Sequence, residues 1–207
     1  MNDIWEDGAA AARSLAPSED HVLQLILRLP LAWVGILQAL LGASGPASVY
    51  RRVDSLRALG LVEGLRLPWR PGACPELLFV SPRGLSAAAH GDRQQFALLA
   101  RDFRLSNNQL AARLPGMAQL GASYELLAAL ARSRPERVQC LVWTEPWRRR
   151  VDRPTTKSPV WVKLPAFAAL TWWQGAHAEY LLLPDLATFP LGLYRHKLDN
   201  LLVIRAR

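Results

Sequence analysis

Arg51 and Arg52 stand side by side in Ala47-Ser48-Val49-Tyr50-Arg51-Arg52-Val53, where Val49, Val53, Leu56 and Leu59 recur at helical spacing. Such a stripe anchors one side of a helix and leaves Ser48, Arg51, Arg52 and Ser55 on the other. A guanidinium offers a planar fork of donors that matches a phosphate or the two acceptors on a guanine edge. Serine and tyrosine hydroxyls donate or accept beside it, which brings in Tyr50 and, in the turn before the helix, Ser44. Further on, Arg66, Trp69 and Arg70 lie in a Pro- and Gly-rich stretch, and Arg148, Arg149 and Arg150 form an unbroken basic run. These residue types point to polyanion recognition.

No catalytic constellation accompanies them. Cys74 and Cys140 are too few for a zinc framework, and His21, His90, His177 and His196 are scattered without ligand spacing. There is no phosphate-binding glycine loop and no Gly-X-Ser-X-Gly elbow. Catalytic residues, metal ligands and cofactors are therefore all expected to be none. Trp143, Trp147, Trp161, Trp172 and Trp173 have faces on which bases stack, but core or dimer-interface positions account for them more simply.

The 207-residue chain carries a net charge of +8, unevenly placed. Residues 1–90 hold eight Arg and eight acids, so the excess falls in residues 91–207. Within the first part the acids come early, and Arg51, Arg52, Arg57, Arg66, Arg70 and Arg83 outnumber Asp54, Glu63 and Glu76. Basic excess favours polyanionic partners but also mere solubility. The longest apolar stretch, residues 22–41, is interrupted by Arg28, Pro30 and Gly35, so no membrane span is expected. Asp3, Glu6 and Asp7 occupy the start, where a secretory signal would be basic, and a cytoplasmic protein is expected.

The elements that position the arginines follow from periodicity and breakers. Residues 1–18 read as a flexible, frayed start. Ser18-Glu19-Asp20 opens a helix that Pro30 ends. A second helix covers Leu31–Leu40, with Gly42 as its stop, and a third covers Pro46–Leu59, with Gly60 as its stop. A strand from Leu61, a loop over residues 66–75 and a returning strand over Glu76–Val80 complete a hairpin. Ser81-Pro82-Arg83-Gly84-Leu85 opens a helix that continues to about Phe103. Ser123–Arg132 reads as a further helix, residues 145–159 as polar loop, and Val138–Thr144, Val160–Leu164, Ala168–Trp173 and Glu179–Leu183 as strands. Residues 191–204 read as a helix and a last strand.

Three helices, a tight turn before the third, and a hairpin form the order of a winged helix-turn-helix. The run Ser48 to Val62, ending in Leu59-Gly60-Leu61-Val62, resembles the recognition-helix corner of many prokaryotic regulators. Val80-Ser81-Pro82-Arg83-Gly84-Leu85 resembles their step from wing to following helix. With Leu141-Val142-Trp143-Thr144-Glu145 and the segment Leu183 to Leu191 leading to Lys197-Leu198, the chain is similar to the replication-relaxation family of plasmid and mobile-element proteins. That resemblance implies an α+β protein: a winged helix-turn-helix over residues 19–88, a helical connector over 89–135, and a small α/β domain over 136–207 with a degenerate restriction-endonuclease-like fold.

The expected function is sequence-specific binding of double-stranded DNA, in transcription or replication control of a prokaryote or mobile element, without catalysis. The expected partners are double-stranded DNA, a second copy in a homodimer built on Ser86–Phe103 and Ser123–Arg132, and a protein held by the C-terminal domain. Two alternatives stand beside it: a metal-dependent nuclease with a divergent site, and a winged-helix adaptor that binds protein only. A nuclease of the implied fold needs two acids and a lysine around Mg²⁺. The positions where they would fall carry Ala166, Leu181, Leu182 and Leu183, while Asp185 and Lys197 lie far apart. Supercoiled DNA incubated with excess protein and Mg²⁺ or Mn²⁺ should therefore stay intact; cleavage that disappears in Asp185→Ala would promote the nuclease reading.

Overall fold

The computed structural model describes residues 2–66, 75–102, 117–133, 138–141, 147–151, 160–164, 168–173 and 177–182. The chain is α+β. Four helices come first: α1 (Asn2–Ser14), α2 (Pro17–Arg28), α3 (Val34–Leu40) and α4 (Pro46–Ala58). An antiparallel hairpin follows, β1 (Val62–Leu65) with β2 (Leu77–Val80), then α5 (Pro82–Ala88), α6 (Arg93–Asp102) and α7 (Met117–Ser133). Strands β3 (Val138–Leu141), β6 (Ala168–Trp173) and β7 (His177–Leu182) form one antiparallel sheet in the order β3-β6-β7. Strands β4 (Trp147–Val151) and β5 (Val160–Leu164) form a separate antiparallel pair.

One core joins α2, α3, α4, β2 and α5. Val22, Leu23, Ile26, Ile36, Leu37, Val49, Val53, Leu56, Leu61, Leu78 and Leu85 are all buried in it. The spacing of Val49, Val53 and Leu56 on α4 is the helical stripe read from the sequence. Its end is a Schellman turn: Leu61 N–H donates to Leu56 O at 2.9 Å, Gly60 N–H donates to Arg57 O at 2.8 Å, and Gly60 takes φ +68. Ser81 caps α5 by accepting from Gly84 N–H at 3.0 Å, and its hydroxyl donates to Gly60 O at 2.6 Å. A Cβ on Gly84 would overlap the Leu61 carbonyl and stand 2.6 Å from Val80 Cγ1. The two sequence signatures, at residues 59–62 and 80–85, are thus the two halves of one joint.

Several expectations are corrected. The start of the chain is not frayed: α1 lies along α5, where Gly8 abuts Ser86, Ser86 Oγ donates to Trp5 O at 2.8 Å, and the Trp5 and Phe96 rings stand 5.3 Å apart. The alanines that suggested weak order give α1 a smooth face for that close approach. Helix α2 begins at Pro17, so Ser18 sits in its first turn and does not cap it. Helix α3 begins at Val34, not Leu31, because Leu31 and Ala32 pair with β2: Leu31 N–H donates to Leu78 O at 2.7 Å and Leu78 N–H to Ala32 O at 2.8 Å. The helix opened by Ser81 breaks at His90 (φ 49) and Gly91 (φ 82), and Asp92 then caps α6. Arg148, Arg149 and Arg150 lie in β4, not in a polar loop, opposite Lys163, Val162 and Trp161. Among the described residues the second half pairs only antiparallel strands. Residues 191–204 lie outside the described residues.

Helix α7 is longer than expected and is not an exposed connector. It packs on α3, with Tyr124, Leu127 and Ala128 fully buried. Met117 and Leu120 also cover the second face of the hairpin, against Leu31, Leu77 and Phe79. This explains why all four residues of β2 are buried. Of the large apolar side chains described in residues 86–103 and 123–132, Leu98 and Leu126 are exposed. The Tyr124 hydroxyl donates to the buried Pro30 carbonyl at 2.8 Å. Tyr124→Phe should cost about 1–3 kcal/mol, the penalty for leaving a buried acceptor without its donor. Urea unfolding would measure it, with exposed Leu126→Ser as a control expected to stay within about 0.5 kcal/mol.

Candidate nucleic-acid interface

Helix α4 presents three ridges outside its buried stripe. The outermost carries Ala47, Arg51 and Ala58, all exposed. Tyr50, Asp54 and Arg57 follow at helical spacing on the side toward the hairpin. Tyr50 is 53% exposed and Arg57 reaches the hairpin residue Glu76. Ser48, Arg52 and Ser55 follow on the side toward α2, and all three are half-buried.

The predicted residues therefore separate. Arg51 and Tyr50 are open to a partner, and Arg52 flanks them. Ser48 and Ser55 are not on the outer face. Ser48 Oγ donates to Gly45 O at 3.2 Å within the first turn of α4. The Ser55 hydroxyl faces the Glu19 carboxyl at the start of α2 and helps hold it below its ordinary range. Ser48 makes its local bond because a short hydroxyl side chain finds a backbone acceptor before it reaches solvent. Ser44 is exposed in the turn ahead of α4. Arg66 follows β1 with its side chain 80% exposed. Trp69 and Arg70 lie outside the described residues. Arg148, Arg149 and Arg150 are placed in β4 only, and nothing described brings them to α4.

Glu76, Gly64 and Trp33 were not expected at this site. Glu76 Oε2 stands 2.6 Å from Arg57 Nη2, and Oε1 stands 3.9 Å from Arg66 Nε. Arg57 also reaches Asp54 at 3.7 Å. The register Leu65↔Leu77 makes Arg66 and Glu76 the next cross-strand pair, which was hidden until the pairing was known. Gly64 leaves room for the ion pair: a Cβ there would overlap Glu76 Oε1 and stand 2.6 Å from Arg57 Nη2. Trp33 is half-buried, packs against the core and also helps line a cleft of about 480 Å³ with Val34, Gly35, Tyr50, Arg66, Pro75 and Glu76. Chemically the face offers exposed cationic and hydroxyl donors beside a hairpin.

Comparison with protein-family models, with curated proteins and with solved structures finds no match to the chain. Among the described residues no helix is long and apolar enough to cross a membrane.

The Ser55 hydroxyl, then the Ala16 N–H at 3.0 Å, hold the Glu19 carboxyl below its ordinary range, against a smaller effect of burial. A depressed carboxylate contributes stability above its unfolded value of 4.5, and that stability is lost as pH falls through the folded value. The melting temperature of wild type should thus drop more steeply below about pH 4.5 than that of Ser55→Ala. Equal slopes in thermal unfolding monitored by circular dichroism would count against the Glu19–Ser55 tie.

Proposed function

We propose that this chain is a sequence-specific double-stranded DNA-binding protein in which residues 19–88 act as a winged helix-turn-helix and α4 is the recognition helix. The observation that carries the reading is the placement of Arg51 and Tyr50 on the open side of a helix clamped at both ends by turns. The hairpin holds Arg66 beside it, near the edge of the cleft. A major groove about 12 Å wide admits one such helix, and arginine reads guanine there. The hairpin serves as the wing and meets the backbone. The protein works without catalysis, as a regulator of transcription or replication of the kind the replication-relaxation resemblance suggests. It reads DNA as a dimer, since one small module spans few base pairs.

A second reading has one specific observation in its favour. Asp54 is 68% exposed on α4 and Glu63 is exposed on β1, so acids share the face with the arginines. That balance suits an adaptor that binds protein only.

Selection of bound fragments from random-sequence duplexes separates the two readings. The expected outcome is an enriched motif, two chains per site, and a log–log salt slope of about −0.9 for each phosphate contact. Arg51→Ala with Arg52→Ala should weaken binding by about 1–3 kcal/mol for each arginine that reads a guanine. A folded double variant that binds as tightly as wild type defeats the recognition-helix assignment. Absence of any DNA retention at low salt favours the adaptor.

A further inference from the structure

We propose that Glu76 sets the selectivity of this interface, by clamping Arg57 and withholding Arg66 from phosphates unless α4 is docked on its site. The inference rests on the DNA-binding reading above. One carboxylate here serves two arginines from different elements, and it serves them unequally. Arg57, on α4, is held at 2.6 Å between side chains only 30% and 28% exposed. Arg66, on the hairpin arm, is held at 3.9 Å with its own side chain 80% exposed. Close, partly covered charge pairs resist displacement, whereas long, exposed ones contribute little and yield to competitors.

Gly64 places the acid. Any larger residue at 64 would push the carboxylate and the Arg57 fork off β1. With glycine there, Glu76 lies across the strand and forms part of the cleft wall with Trp33, Tyr50 and Arg66. Glu76 has no part in reading bases, because its two oxygens already face guanidinium groups.

The consequence differs between right and wrong DNA. On an arbitrary duplex the protein is held by phosphates alone, and Arg66 gains little by leaving Glu76 for a phosphate that the same acid repels. On the selected site, base contacts from α4 fix the register and bring a phosphate within reach of Arg66. Glu76 thus lowers affinity for arbitrary DNA more than affinity for the site. Sequence discrimination comes from a negative charge as well as from the positive ones.

Binding of full-length wild type, Glu76→Gln, Arg66→Gln and the double variant is measured by fluorescence anisotropy. The probes are a random-sequence duplex and a duplex carrying the selected motif, across a salt series. Glu76→Gln should bind the random duplex several-fold tighter, with its salt slope steeper by about 0.9, one added phosphate contact. The selected duplex should change little, and the gain should vanish in Glu76→Gln with Arg66→Gln. Glu76→Asp keeps the charge facing Arg57 but shortens the arm toward Arg66. It should move the random-duplex affinity the same way by less, and it tests the idea if Glu76→Gln loosens the hairpin. The proposal is overturned by folded variants with wild-type affinity and slope on random DNA. A gain that survives Arg66→Gln, or equal weakening on both duplexes, overturns it too. Wild type that binds neither duplex would remove the DNA reading itself, a different result from a silent Glu76.

Discussion

The arrangement of the first half depends on how closely α5 can approach the end of α4. The Ser81 hydroxyl spans the gap, donating to Gly60 O at 2.6 Å while accepting from Gly84 N–H at 3.0 Å. Ser81 N–H donates to Leu61 O at 3.0 Å, and the missing side chain of Gly84 lets α5 pass over that same carbonyl. Gly60 can take its left-handed φ because it has no Cβ. Each contact satisfies a backbone group that a helix end or a strand start would otherwise bury unpaired. With the joint closed, β1 must leave α4 at one angle and β2 must return into α5. The hairpin is therefore fixed relative to the face carrying Tyr50 and Arg51.

A second constraint arises because β2 is sandwiched. Leu78 and Val80 enter the main core, and Leu77 and Phe79 enter the smaller cluster closed by Met117 and Leu120. A strand buried on both faces needs partners for its backbone on both edges. β1 supplies one edge, and the short segment at Leu31–Ala32 supplies the other through two hydrogen bonds. Leu31 reaches that geometry with φ 69, a conformation that ordinarily disfavours any residue with a Cβ. Its complete burial and the bond from its N–H to Leu78 O hold it there. Tyr124 closes the same region from α7 through the Pro30 carbonyl, so the helix beyond the hairpin belongs to this fold and is no tether.

What could be read from the sequence were features with a local cause. The stripe Val49, Val53, Leu56 fixed α4, Gly60 and Pro46 fixed its ends, and the Ser81-Pro82 pair fixed the start of α5. What escaped were features set by partners distant in the chain. Leu31 and Ala32 continue a helical pattern and leave the helix only because Leu78 needs them. Alanine-rich α1 resembles a loose end until α5 offers Ser86 and α6 offers Phe96. Ser55 has the spacing of an outward residue, yet it is half-buried, because α2, distant in the chain, packs against α4. Arg148–Arg150 looked like a polar loop because three charges carry no strand signal, and pairing with β5 decided otherwise.

The neutrality of residues 1–90 bears on how such a face would work. A surface meant to grip any duplex needs a large positive excess, since nonspecific affinity follows the number of neutralised phosphates. Here Glu76 occupies Arg57 and touches Arg66, Asp54 lies against Arg57, and Glu63 is exposed on β1. The free cation on the outermost ridge of α4 is Arg51 among the described residues, with Arg52 half-buried beside it. On the proposed reading, such a face holds arbitrary DNA weakly and leans on base contacts. The surplus of eight positive charges falls in residues 91–207. On that reading, general attraction to a polyanion and reading of its sequence would fall to different halves of the chain. Such a division would let α4 carry acids that a single combined surface would not tolerate.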